Sequence, residues 1–309
     1  MSEAALPAAA ATPPAVPAKE ETPFRRFVRS FVEDRLALFG LALFLLIVLL
    51  AIAAPLIAPQ NPYDLASVDV MDSRQPPGTV AGEGFTMWLG SDGVGRDLLS
   101  GILYGLRISL MVGAFSGILA ASLGAAIGLI AAYAGGRTEN AIMRLVDLQL
   151  SLPSVLVALI LVAALGKGVD KIIIALVMVQ WAYYARTVRG SALVERRKEY
   201  VEAAQSLGLS HARTVFRHIL PNCLAPVIVI VTVQTAHAIS LEATLSFLGV
   251  GLPQTEPSLG VLIANGFQYM LSGSYWISVF PGVALLMTIV SINLVGDRLR
   301  DVLNPRLEK

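Results

Sequence analysis

Long apolar runs free of charge constrain this chain more than any other feature. The first, Leu36 to about Ala58, contains no Asp, Glu, Lys or Arg. About 20 apolar residues in a helix cross the roughly 30 Å hydrocarbon core of a bilayer. Further runs extend from Ile108 to about Tyr133, Leu148 to Gly166, Ile172 to Ala185, Ile219 to Leu241 and about Tyr275 to Val295. Only 15% of the 309 residues are charged, against about 25% in a soluble domain. The pattern predicts an all-α, polytopic membrane helix bundle with six transmembrane helices. The fourth run is short and must use its ends or tilt. The stretch Leu259–Leu271, with Gly260, Asn265, Gly266 and nearby Gly273, reads as a short external or re-entrant element.

Orientation follows from loop charge, because Lys and Arg concentrate on the cytoplasmic side. With the N-terminus inside, only Arg74, Arg96, Arg107, Lys167 and Lys171 of the 23 basic residues fall outside. Both termini are therefore expected to be cytoplasmic. Residues 1–23, rich in Ala, Pro and Glu, cannot bury enough apolar surface to fold and are expected to form a disordered tail. The first run is too long for a signal-peptide core and reads as an uncleaved anchor. Just before it, Phe24, Phe27, Val28, Phe31 and Val32 alternate with Arg25, Arg26 and Arg29 at helical spacing. That is an interfacial amphipathic helix facing anionic lipid, or else an extension of the first span.

In the second run Gly113, Gly117, Ala121, Gly124 and Gly128 form one small-residue stripe. Such a stripe lets another helix approach closely, so this helix is expected at the centre of the bundle. Catalytic chemistry is not evident. Gly166-Lys167-Gly168 lacks the rest of a phosphate-binding loop, and neither a zinc-protease nor a nucleophile-elbow motif occurs. A net charge of +1 argues against a nucleic-acid partner. The lone Cys223 reads as a packed apolar residue, and Asp92–Asp97 as a tight external turn rather than a calcium loop. Arg144 and Asp147 are spaced for a local ion pair, and Glu242 and Arg107 are expected near the outer ends of their spans. His237 reads as a packed or hydrogen-bonded core histidine. The chain of buried acids that an ion-driven transporter needs is missing.

The segment Lys198–Asn222 breaks the apolar pattern between the fourth and fifth runs. Helix formers fill 195–207, Gly208 is placed to end that helix, and Ser210 to cap a second one from His211. Pro221 then closes the second helix or hands it to the fifth span. Glu202, Ala203 and Ala204, beside Tyr200 and Leu207, would offer a small-residue face with one carboxylate. Such a face suits insertion into a groove that supplies an arginine.

Glu202-Ala203-Ala204, Gly208 and Leu220-Pro221, at these spacings, resemble the EAA motif of ABC-transporter permeases served by substrate-binding proteins. His218 stands where that family usually has Ile. Leu89–Asp97, Gly105–Leu110, Glu242–Gly249 with Pro257-Ser258, Phe280-Pro-Gly282 and Asn293–Pro305 resemble the C-type permease of the dipeptide/oligopeptide transporters, in the same order. The resemblance implies a type I ABC importer permease fold in a bacterial inner (cytoplasmic) membrane. It implies a heterodimer with a paired permease subunit, two cytoplasmic ATPase subunits that bind ATP and Mg, and an external or periplasmic substrate-binding protein. Glu202 to Gly208 would be the coupling helix, and the 59–104 loop would help receive the binding protein. The same architecture could import nickel or glutathione. The domain boundaries expected are 1–23 tail, 24–104 interfacial helix, first span and external loop, 105–298 permease core with coupling loop 195–222, and 299–309 cytoplasmic tail.

Overall fold

A computed structural model describes residues 22–64 and 68–303. Most of the expected N-terminal tail, and residues 304–309, lie outside the described residues. Helix α1 (Pro23–Val32) is separated from α2 (Arg35–Ile57) by a capped turn. The Asp34 carboxylate accepts from Leu36 N at 2.8 Å and Ala37 N at 3.3 Å. A helix cannot run through a residue whose side chain starts the next one, so α1 is not an extension of α2. The Arg298 guanidinium also donates to the Ser30 carbonyl, tying α1 to the far end of the chain.

After α2 the chain forms a cap over one end of the bundle. A two-stranded antiparallel hairpin pairs β1 (Thr79–Val80) with β2 (Thr86–Met87). The Asp92 carboxylate accepts from Val94 N at 2.9 Å, Arg96 N at 3.0 Å and Arg96 Nε at 2.8 Å, closing the tight turn. Asp97 caps α3 (Leu98–Ala134), accepting from Ser100 N at 2.7 Å. Helix α3 runs unbroken through the 104/105 position expected as a domain boundary, and the last helix likewise runs through 298/299.

The remaining helices are α4 (Gly136–Ser151), α5 (Ser154–Leu165), α6 (Val169–Glu195), α7 (Glu199–Ser206), α8 (His211–Arg213), α9 (Leu220–Phe247), α10 (Leu259–Phe267) and α11 (Trp276–Leu303). By length and hydropathy α2, α3, His211–Phe247 and α11 can each cross a membrane, and α4 with α5 can form a fifth, broken span. The run Leu148–Gly166 is thus not one straight helix. It bends by 92° between α4 and α5, because Pro153 lacks an N–H and pushes Leu152 into an extended conformation. Helix α5, about 18 Å long at 1.5 Å per residue, cannot cross unaided. Helix α6 has 27 residues and extends beyond the fourth run at both ends, through Arg186 and Arg189 to Glu195, but hydropathy does not mark it as a crossing. The expected 259–271 element is the short α10 followed by a 3-10 turn.

Helix α3 is the axis of the bundle. A Cβ on Gly124 would lie 2.4 Å from the Trp181 carbonyl oxygen, and one on Gly128 would lie 2.5 Å from that of Ala185. Both neighbours belong to α6. Gly113 and Gly117 face α9 instead, where an added Cβ would meet Ile239 at 2.8 Å and Thr235 Oγ1 at 3.1 Å. One stripe therefore seats two helices. Asp147 pairs with Arg186 of α6 rather than with Arg144, since α4 itself packs along α6. Glu139 accepts from Arg189 Nε at 2.8 Å alongside it.

Replacing Gly124 with Leu drives a side chain into α6 backbone, which cannot rotate away. A loss on the order of 3 kcal/mol is expected, seen as a lower melting temperature and poor accumulation of the purified chain. Gly282, with nothing within 4 Å of an added Cβ, should accept Ala without loss in the same assay.

Candidate functional site

Helix α7 has eight residues, too few to be stable alone in water. It is held by what it touches. Val201 is fully buried and Ala204 nearly so, in the layer under the loop where Ile219, Cys223 and Val188 also sit. Glu202, Ala203, Ser206 and Leu207 point the other way, into solvent. Of the expected small-residue face, Ala203 and Glu202 are therefore outward, while Ala204 seats the helix. Glu202 makes no ion pair among the described residues.

The helix ends as its glycine requires. Gly208 has φ +72°, and Leu209 N donates back to the Ala204 carbonyl at 3.2 Å, with Leu207 N to Ala203 at 3.0 Å. This is a Schellman-type ending, which leaves the last carbonyls satisfied. Ser210 Oγ then accepts from Arg213 N at 3.4 Å, starting α8. From Thr214 to Ile219 the backbone widens into a π turn, and Leu220 N bonds to the Val215 carbonyl. Pro221, which has no N–H, enters α9 directly after it. The prolines hand the loop to the span rather than closing it. The single expected helix over 195–207 is in fact two segments: Glu195 ends α6, and a turn at 196–198 precedes α7.

That turn carries a polar clasp. Tyr200 Oη donates to Glu195 Oε2 at 2.6 Å and accepts from Asn222 Nδ2 at 3.2 Å. Lys198 Nζ holds the other Glu195 oxygen at 2.6 Å, and Asn222 Nδ2 also donates to the His218 carbonyl at 2.8 Å. Tyr200 thus joins the end of α6 to the start of α9 through α7. Burial pushes the Glu195 carboxyl up, but the hydrogen bonds from Lys198 and Tyr200 outweigh it and hold it below the ordinary glutamate range. Burial, with the Glu195 hydrogen bond and charge, raises Tyr200 to about 12. On the other side of the loop, Tyr133 at the end of α3 lies between Arg196, 5.5 Å from its ring, and His211, 5.3 Å away and in contact with its hydroxyl.

Five residues before the end of α9, Glu242 is fully buried and accepts from Ser109 Oγ at 3.2 Å and Ser246 Oγ at 2.8 Å. His237 Nδ1 is buried with no hydrogen-bond partner among the described residues. Sequence placed Tyr200 only beside the exposed face and gave no role to Glu195 or Asn222, so the clasp itself was not foreseen. A tyrosine five positions after a glutamate gives no periodic signal, and Asn222 joins them only once the loop has folded back.

Residues 124–309 match the family described as binding-protein-dependent transport system inner membrane components. Residues 22–77 match the N-terminal transmembrane domain of oligopeptide transport permease C. The chain is 37% identical to the di/tripeptide transport system permease protein DppC of Pseudomonas aeruginosa, covering 93% of both chains. It is 36% identical to the oligopeptide transport system permease protein OppC of Bacillus subtilis, covering 90% of this chain and 88% of that one. Among solved structures, an inward-facing MetNI methionine ABC transporter chain superposes with a TM-score of 0.54 at 19% identity, over 66% of this chain and 96% of that one. That likeness concerns the fold alone.

Tyr200→Phe removes the bridge while keeping the ring. Hydrogen exchange of the α7 amides should speed up roughly tenfold, the worth of one hydrogen bond to a charged group, with α3 and α9 unchanged. The pH dependence has a defined sign. With its value depressed, Glu195 contributes fully above the ordinary glutamate range and loses its contribution as pH falls through the lowered value. Tyr200 keeps its proton until pH approaches 12. Protection of α7 in the unsubstituted protein should therefore be flat around neutrality and fail in acid.

Proposed function

The chain belongs to the binding-protein-dependent transport system inner membrane components, as a peptide-transport permease of the bacterial inner membrane, and from that premise we propose how it works. It forms half of the transmembrane pathway for di- or oligopeptides, paired with a second permease subunit as a heterodimer. Two cytoplasmic ATPase subunits bind ATP and Mg and do the hydrolysis, and an external binding protein delivers the substrate. The chain crosses the membrane six times with both termini inside. Helix α6 serves as a crossing despite its charges, and α4 with α5 makes one broken crossing.

Helix α7 is the coupling helix. The observation that carries this reading is an exposed Glu202–Ala203 face on a helix whose other face is buried and whose neighbours are clasped to both α6 and α9. A partner groove gripping α7 therefore grips two spans at once. Closure of the ATPase pair moves α7, and the clasp passes that movement to the pathway. Such coupling requires that α7 be contacted differently in the two states, since only differential contact shifts an equilibrium. Gly208 is the turn that aims α8, and Leu220-Pro221 are the junction to the span.

Glu202→Ala should lower copurification of the ATPase subunits and peptide uptake about tenfold, the worth of one charge-assisted contact. Insertion of the chain should be unchanged. Normal copurification together with normal uptake in that variant would sink the coupling assignment. Gly208→Val, placed where nothing crowds an added Cβ, should act through backbone strain of about 1–2 kcal/mol. It should leave ATPase binding measurable while reducing ATP hydrolysis coupled to transport.

A further inference from the structure

At the opposite end of α9 from the coupling loop, about 42 Å away for 28 residues, lies a cavity of about 410 Å³. It sits between the α5–α6 turn, the end of α9 and α10. Phe247 and Phe267 meet edge to face on its wall, 5.7 Å apart and both exposed. Around them stand Lys167, Gln254, Asn265 and Gln268. The side chains of these four have no hydrogen bond or ion pair among the described residues. Gln254, Asn265 and Gln268 also border a second cavity of about 460 Å³ under the cap, so the three carboxamides stand at the mouth of both.

The frame behind this mouth is rigid. Ser246 lines it and is held by the buried Glu242 at 2.8 Å, while Leu252 N bonds to Ser246 Oγ at 3.3 Å. An added Cβ on Gly260 would lie 2.6 Å from the Ala243 carbonyl oxygen, so α10 is seated directly on α9 backbone. A preformed cavity with an apolar wall and a few convergent polar groups is the usual form of a small-molecule site.

We propose that this mouth is a receiving site for the carboxyl-terminal end of a short peptide. Carboxamide side chains both donate and accept, as a peptide unit does, and three of them can follow a backbone without selecting its sequence. Lys167 supplies a point charge for the terminal carboxylate. The Phe247–Phe267 pair takes an apolar side chain by contact area. The proposal rests on the peptide-permease reading with this end outside, and it adds a site in this chain that the substrate touches after leaving the binding protein.

The test uses the complete transporter in nanodiscs and a tripeptide carrying a benzophenone side chain, made with either a free or an amidated carboxyl terminus and added directly. The free-acid peptide should label the segment around Phe247 or Phe267. Lys167→Glu, on an exposed turn, should cut that labelling about fivefold, as expected for loss of a charge-assisted contact. Lys167→Arg should keep it, and the amidated peptide should label poorly and equally in all three proteins. Labelling elsewhere, or free-acid labelling indifferent to Lys167→Glu, would overturn the site. Loss of binding-protein capture by Lys167→Glu with unchanged labelling would make this surface a dock for that protein and overturn it as well. Absence of ATPase subunits from the purified wild-type complex would overturn the importer reading and the site with it, a result distinct from any labelling pattern.

Discussion

Close approach of helix backbones through the α3 stripe is the constraint on which the rest of this molecule depends. In a bilayer the lipid tails are as apolar as leucine, so helices gain little by hiding apolar surface from one another. They must associate by contact, and contact is best where no side chain stands between. Gly124 and Gly128 let α6 lie against α3, while Gly113 and Gly117 let α9 do so a few turns nearer the outer end. Because one stripe serves both partners, the spacing between α6 and α9 is set by α3. That spacing is what allows Tyr200 to reach from the end of one to the start of the other.

The clasp at Tyr200 fixes a marginal helix between two long ones. Eight residues of helix would melt in water, yet α7 has a buried valine beneath it, a Schellman ending behind it and two spans hydrogen-bonded to its tyrosine. Its outward residues need no internal partner, and Glu202 has no ion pair among the described residues. Stability and availability are thus assigned to opposite faces of one short segment. At the other end of α9, Glu242 plays a comparable framing part through Ser109 and Ser246, with no ion pair of its own among the described residues.

What could be read from sequence was local or periodic. Gly208 and Ser210 act over three or four residues, and their turn and cap lie where composition placed them. The long apolar runs announced the spans because hydropathy adds along a helix. The break at Pro153 was hidden by the same sum, since apolar residues on both sides of a bend score as one run. Asp147 was assigned to the nearest basic residue in sequence, but the packing of α4 along α6 pairs it with Arg186. Glu195, Tyr200 and Asn222 meet only after α6, the loop and α9 have packed, so no window of the sequence contains their relation. Glu242 lies near the end of α9, as expected, but nothing local in the sequence shows that Ser109 of α3 meets it there.

The π turn over Thr214–Ile219 gives the junction between loop and span an uneven gearing. Its buried residues, Thr214 and Ile219, are five apart, whereas Ile219, Cys223 and Val227 follow at intervals of four. A wide turn of this kind holds one residue more than a regular turn. The extra residue offsets the buried face of the loop from that of α9 by about 100°, the angle of one residue. The widened turn thus sets which way α8 faces where it joins the long helix, with Leu220 N still bonded to the Val215 carbonyl.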